Sequence, residues 1–222
     1  MKNKIIAKEE VKKLVRDGMT IMVGGFLAKG TSETVIDQIV ASGVKDLTII
    51  ANDGGTITTG VGKLIANNQV KTLYASHIGL NKMVGQKMEA GELEVVLIPQ
   101  GSLAEAIRAG GAGLGGVLTP TGVGTIVEED HRHVYKTIKL DGKKYLIEKP
   151  LHADLTVLRG FKADTFGNVY YEKTSRNFNP MMAFAGDVVV VGADEIVEKG
   201  KLNPNDVVTP GVLVDYIVKE GE

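Results

Sequence analysis

The sequence predicts an α/β fold: an open, mostly parallel sheet flanked by helices, with a β-hairpin excursion. Three observations carry that expectation. Short apolar, β-branched runs that read as buried strands alternate with stretches of helical period. Glycine-bearing turns close several of those runs, in MTIMVGG, IIANDGG and LIPQG. An Asp141-Gly142 pair separates two alternating segments, YKTIKL and KKYLIEK, the pattern of a two-residue hairpin turn.

Taken in order, Ile5, Val11, Leu14 and Val15 sit at helical spacing among lysines and glutamates, and Asp17-Gly18 ends an opening amphipathic helix. MTIMVGG (19–25) is then a buried strand, and Thr31-Ser32 offers N-cap chemistry to a helix with Val35, Ile36, Ile39 and Val40 on one face. LTIIAND (47–53) reads as a strand, VGKLIAN (61–67) as a short helix and VKTLYAS (70–76) as a strand. LEVVLIP (93–99) is another, followed by the helical SLAEAIRAG. The hairpin spans 135–149, and DVVVVGADEIV (187–197) returns to a buried strand. GGAGLGGVLTPTGVGTIVEED (110–130) is too glycine-rich for a helix interior and too apolar for a linker, so it is expected as an ordered loop near a site or interface. No clean linker or short repeat is evident, and one domain over 1–222 is expected.

Composition narrows function. With 222 residues, 43% of them hydrophobic and 24% charged, the chain can bury a sizeable core. A net charge of -1 with basic residues scattered along the chain argues against a nucleic-acid footprint or a membrane patch. The absence of cysteine removes disulfides, thiolate zinc sites and cysteine nucleophiles, and fits a cytoplasmic protein. No apolar run approaches the ~20 residues a spanning helix needs.

The motifs are best judged against familiar alternatives. Gly25 and Gly30 have the spacing of an ATP-binding P-loop, but Thr31 stands where its lysine belongs, and Phe26 occupies the second glycine position of GxGxxG. The turn Gly24–Gly30 is therefore either a ligand loop of another kind or a tight connection that only glycine fits. His77, His131, His133 and His152 lack metal spacing, and HRH at 131–133 is expected in an exposed polar segment. No serine sits in GxSxG. Glu105 and Arg108 read as a solvated i, i+3 pair. Gln100-Gly101 and Asn52-Asp53-Gly54-Gly55 fall at the C-terminal edges of expected strands, where open α/β sheets place ligands. With the glycine turn they would line one crevice. No self-contained nucleophile and base emerge, so another chain is expected to complete the site.

Taken together, DGMTIMVGGFLAKG (17–30), NDGG (52–55), PQGSLAEAIRAGGAGLGG (99–116), LTPTGVGT (118–125), RNFNP (176–180) and TPGVLVDYIV (209–218) resemble the alpha subunit of the family I CoA-transferases that act on acetate, butyrate or acetoacetate. The resemblance covers nearly the whole chain. It departs where Ser32 replaces a proline and where Ala106 follows the PQG-block glutamate in place of a residue that is often arginine. It implies ping-pong transfer of CoA between an acyl-CoA and a short-chain carboxylate through a glutamyl-CoA thioester, with coenzyme A as substrate and no permanently bound cofactor or metal. The nucleophilic glutamate would lie on a beta subunit, in an α2β2 assembly. Gly24, Gly25, Phe26, Leu27, Ala28, Lys29 and Gly30 correspond to the stretch assigned to CoA; Gln100 would position the acyl group or oxyanion, and Asn52 and Gly101 would meet substrate. A phosphosugar-binding sensor or an isomerase on a related fold is the alternative.

Overall fold

The computed structural model describes residues 3–221. The main sheet takes β1 (Thr20–Val23), β2 (Leu47–Ala51), β3 (Val70–Ala75), β4 (Glu94–Leu97), β8 (Ala153–Asp164), β10 (Gly186–Val197) and β11 (Tyr216–Lys219) in the order β11-β10-β8-β1-β2-β3-β4. All of these neighbours pair in parallel; the two-residue β9 (Val169–Tyr170) pairs antiparallel with β8. Helices α1 (Glu33–Ser42), α2 (Val61–Ala66), α3 (Lys82–Glu89), α4 (Gln100–Gly111) and α5 (Asn179–Met182) link and cover the strands. Two apolar clusters, one holding Ile36, Ile39, Leu64 and Ile65 and the other Leu103, Ile107, Phe178 and Met182, fill the space on either face. The parallel α/β reading of the sequence therefore holds.

The hairpin also stands where Asp141-Gly142 placed it. β6 (Val134–Leu140) and β7 (Lys143–Glu148) pair antiparallel, with Asp141 at φ 46° and Gly142 at φ 81°, the positive values that a tight hairpin turn requires. β5 (Val117–Thr119) joins them through β7, so the glycine-rich stretch 110–130 holds a short strand and a 3₁₀ turn at Ile126–Glu129 within its loop.

Three expectations give way. The opening segment is a 3₁₀ turn over Lys8–Leu14 rather than an amphipathic α-helix, and Ile5 leaves the helical face to bridge Ile217 beside β11. Lys4 and Ile6 exchange backbone hydrogen bonds with Ile217 at 2.8 and 2.9 Å, so sheet pairing outcompetes the first helical turn. β8, one of the two longest strands, is absent from the sequence reading, because Asp154, Thr156, Arg159 and Lys162 interrupt the apolar run expected of a buried strand. His133 is 1% exposed rather than a surface histidine.

Burial pushes the His133 imidazole below its ordinary pKa, with Asp130, 3.9 Å away, pulling weakly the other way. Neither ring nitrogen has a hydrogen-bond partner. A depressed folded pKa means that the neutral ring's contribution is present above the ordinary histidine range of ~6.5 and is lost as pH falls through the folded value. His133→Leu should therefore flatten the acid-side fall in Tm; a variant whose Tm falls with acidification as steeply as the parent would refute this.

Candidate functional site

Gly24, Asn52, Ser76 and Gln100 follow β1, β2, β3 and β4, so four adjacent strand ends deliver their loops to one edge of the sheet. The segment after β1 is a tight arch. Phe26 and Lys29 exchange backbone hydrogen bonds at 3.0 and 2.9 Å, and between them Leu27 (φ 50°) and Ala28 (φ 61°) take left-handed conformations that cost L-residues roughly 1–2 kcal/mol each. Phe26 and Leu27 are 40% and 42% exposed at the tip.

RNFNP holds this arch from behind. Asn179, fully buried, donates from Nδ2 to the carbonyls of Gly30 (2.9 Å) and Ser175 (2.8 Å) and accepts the Arg159 N–H at Oδ1 (3.1 Å). Asn177 Nδ2 donates to the Lys29 carbonyl at 2.9 Å. A Cβ at position 24 would lie 2.0 Å from Asn179 Oδ1, and one at position 30 would lie 2.7 Å from the Ser175 carbonyl. These glycines are therefore demanded by packing.

The arch recurs one strand later. Gly54-Gly55, four residues and Gly60 repeat the spacing of Gly24-Gly25, four residues and Gly30, with Thr56 and Thr59 bridged as Phe26 and Lys29 are. The sequence reading missed this repeat, although the glycine spacing alone announces it. Gly60 N–H donates to Glu33 at 2.9 Å, which ties the second arch to the first turn of α1.

Asp53 connects the two arches. Its Oδ2 accepts the Leu27 N–H at 2.7 Å and Asn52 Nδ2 at 2.8 Å, while Oδ1 accepts the Gly55 N–H at 2.9 Å. Asn52, 1% exposed, passes the network on: its Oδ1 accepts Gln100 Nε2 at 2.7 Å and Ser76 Oγ at 3.0 Å. Gln100, the exposed first residue of α4, thus keeps a second amide N–H and its carbonyl for another partner. The structure joins Gln100, Asn52 and the arch, through an Asp53 that sequence reasoning noted only as part of a turn. Gly101 lines a neighbouring cleft of about 560 Å³ with Arg108, Leu114 and Leu118.

The N-terminus of α1, beside the arch, is already occupied by side chains of the protein itself. Ser32 Oγ caps Val35 N–H at 3.2 Å and donates to Glu220 Oε2 at 2.5 Å, and Glu220 Oε1 accepts the Thr34 N–H at 3.2 Å. Gly192 leaves the room, since a Cβ there would lie 2.2 Å from Ser32 Oγ. The anion at this helix end is the protein's own. Beside the arch lies a cleft of about 340 Å³ whose lining includes Lys29, Arg159, Lys173, Glu172 and Asp194. The remaining motifs are quieter: Glu105 and Arg108 form the expected exposed pair, and among the described residues no cluster of His, Asp or Glu could hold a metal.

Comparison with known proteins shows the family to which the chain belongs. The family model described as Coenzyme A transferase matches residues 4–220. The chain is 50% identical over 222 residues to the acetate CoA-transferase subunit alpha of Escherichia coli K12, covering 100% of this chain and 99% of that one. It is 51% identical over 220 residues to the acetoacetyl-CoA:acetate/butyrate CoA transferase alpha subunit of Clostridium acetobutylicum, covering 99% of each. Among solved structures, an acyl-CoA transferase from E. coli O157:H7, as a thioester complex with CoA, superposes with a TM-score of 0.87 at 23% identity over 98% of this chain and 47% of that one. Glutaconate CoA-transferase from Acidaminococcus fermentans gives 0.85 at 20% identity over 97% and 75%. The phosphosugar-sensor and isomerase readings find no support in these likenesses. The chain belongs to the coenzyme A transferase family, an enzyme family, and is similar along its whole length to alpha subunits of it.

Proposed function

We propose that this chain is, as one domain, the alpha subunit of a cytoplasmic short-chain acyl CoA-transferase. It moves CoA between an acyl-CoA and a carboxylate such as acetate, butyrate or acetoacetate, with a beta subunit supplying the nucleophilic glutamate in an α2β2 complex. The observation that carries this reading is the relay from buried Asp53 and Asn52 to exposed Gln100 at the strand ends, which presents a fixed amide and ties it to the arch. It is a half-site: among its side chains are an amide donor and pinned carboxylates, but no nucleophile paired with a base.

The chemistry follows. The partner's carboxylate attacks the thioester carbonyl and expels CoA thiolate, leaving an acyl-glutamyl anhydride. The thiolate then attacks the glutamyl carbonyl and releases the first carboxylate, giving glutamyl-CoA. A second carboxylate reverses both steps and leaves as acyl-CoA, with no redox change and no net proton. Each addition puts negative charge on a carbonyl oxygen, and a donor held before the reaction stabilises that charge without reorganisation. Gln100 supplies such a donor because Asn52 fixes its amide. Asn52, buried and bonded to Asp53, Ser76 and Gln100, acts on substrate through Gln100. CoA lies along Gly24–Gly30, its pantetheine against the exposed Phe26 and Leu27 and its phosphates toward Lys29 and Lys173.

Co-expression with the partner subunit and assay of CoA transfer from acetyl-CoA to acetoacetate tests the reading; full activity from this chain alone would sink it. In the complex, Gln100→Ala should lower kcat by about 10²-fold, the scale for one oxyanion donor, without dissociating the subunits. Asp53→Ala should instead act through the arch, raising the KM for acyl-CoA; an unaltered KM with normal stability would remove Asp53 from this role.

A further inference from the structure

Glu148 ends β7 and is 1% exposed, although it pairs only with Val117 of β5 and Val134 of β6. It faces α4 at Ser102, whose hydroxyl is the one hydrogen-bonding group that favours its charged form, while burial acts more strongly and pushes its pKa up. The two groups approach without closing a well-formed hydrogen bond: both carboxyl oxygens of Glu148 and the Ser102 Oγ lack a partner. An ionised carboxylate buried in this way costs several kcal/mol. The neutral acid has one O–H to donate, and the serine oxygen has free lone pairs to accept it. A hydrogen bond between them would pair two buried groups that otherwise have no partner.

The contact matters because of where it falls. The chain leaving β7 runs along α4: Leu151 N–H donates to the Ala106 carbonyl at 2.9 Å, and Gly110 packs so closely that a Cβ there would lie 1.8 Å from the Leu151 carbonyl oxygen. Those contacts hold the middle and end of α4. Ser102 is in its first turn, two residues after Gln100, where Leu103 N–H bonds the Pro99 carbonyl at 2.9 Å. We propose that Glu148, as the neutral acid, donates its proton to Ser102 and fixes the first turn of α4, which makes it a positioning residue for Gln100. The proposal rests on the reading of Gln100 as a site residue.

Few other charges bear on Glu148. On α4, Glu105 and Arg108 pair with each other at the surface; β5 carries no titratable group. His133, preceding β6, is buried beside Asp130, and Lys149 Nζ donates to the His131 carbonyl. A raised carboxyl pKa means that the bond's contribution is complete below the ordinary glutamate range and is lost as pH rises through the folded value.

The experiment uses the assembled complex with Glu148→Gln, Glu148→Leu and, in parallel, Gln100→Ala. Glutamine keeps a neutral donor and cannot ionise, so Glu148→Gln should retain most of kcat and lack the alkaline fall expected of the parent. Glu148→Leu should lower kcat by up to about tenfold, the scale of one hydrogen bond, with KM unchanged. A Glu148→Gln profile that falls with pH as the parent's does would overturn the proposal even if Glu148→Leu fails to fold, as would parental kcat in a folded Glu148→Leu complex. Parental kcat in Gln100→Ala would instead overturn the site reading beneath it, so the two failures are told apart.

Discussion

The site depends on one buried carboxylate. Asp53 accepts three hydrogen bonds, from the arch tip at Leu27, from the side chain of Asn52 and from Gly55 at the start of the second arch. Burying a charge is costly unless such partners compensate it, so the three donors and the carboxylate stabilise one another or not at all. The strained backbone at Leu27 and Ala28 persists because this acceptor faces it from the front while Asn177 and Asn179 hold it from behind. Remove the carboxylate, and the left-handed tip loses a restraint at the same moment that Asn52 loses what orients its amide. Gln100 would then meet a partner with two amide orientations instead of one.

The parallel sheet makes this convergence possible. Neighbouring parallel strands end at the same edge, so Gly24, Asn52, Ser76 and Gln100, spread over more than seventy positions of chain, arrive side by side. An antiparallel sheet would send alternate loops to opposite edges. The small sheet β5-β7-β6 stands outside this logic and packs against α4, the helix that carries Gln100 and Gly101. It bears on the site by bracing a helix.

Much of this was legible in the residues. Apolar β-branched runs, three of them closed by glycine, marked β1 to β4, and Asp141-Gly142 fixed the hairpin, because buried strands and type I′ turns leave local composition signals. Asn52 and Gln100 were found by their place at strand ends. What stayed hidden was relational. Asp53 looks like any turn aspartate until β1 brings Leu27 beside it, and Asn179 gains meaning only when α5 reaches the arch across 149 positions of chain. β8 was lost because its polar residues serve neighbours that the sequence does not name: Asp154 accepts the Thr20 N–H and Arg159 pairs with Asp194. His133 reads as a surface residue for the converse reason, since the polar residues around it cannot say that the folded chain covers it.

The glycine turn after β1 shows why geometry, more than motif, decides what a loop can bind. Its composition suits a phosphate cradle, and a free helix N-terminus would add a favourable partial charge. Here Ser32 and Glu220 occupy that terminus, with Gly192 giving them access, so a phosphate placed there would meet a carboxylate and find the Thr34 and Val35 N–H groups already engaged. What remains exposed is an apolar tip, Phe26 and Leu27, with Lys29 to one side. Such a surface suits the long, weakly polar arm of a thioester better than its charged end. Under the proposed reading the arch would serve as a rail for the pantetheine chain, leading the thioester carbonyl toward Gln100 while the phosphates remain in the outer cleft.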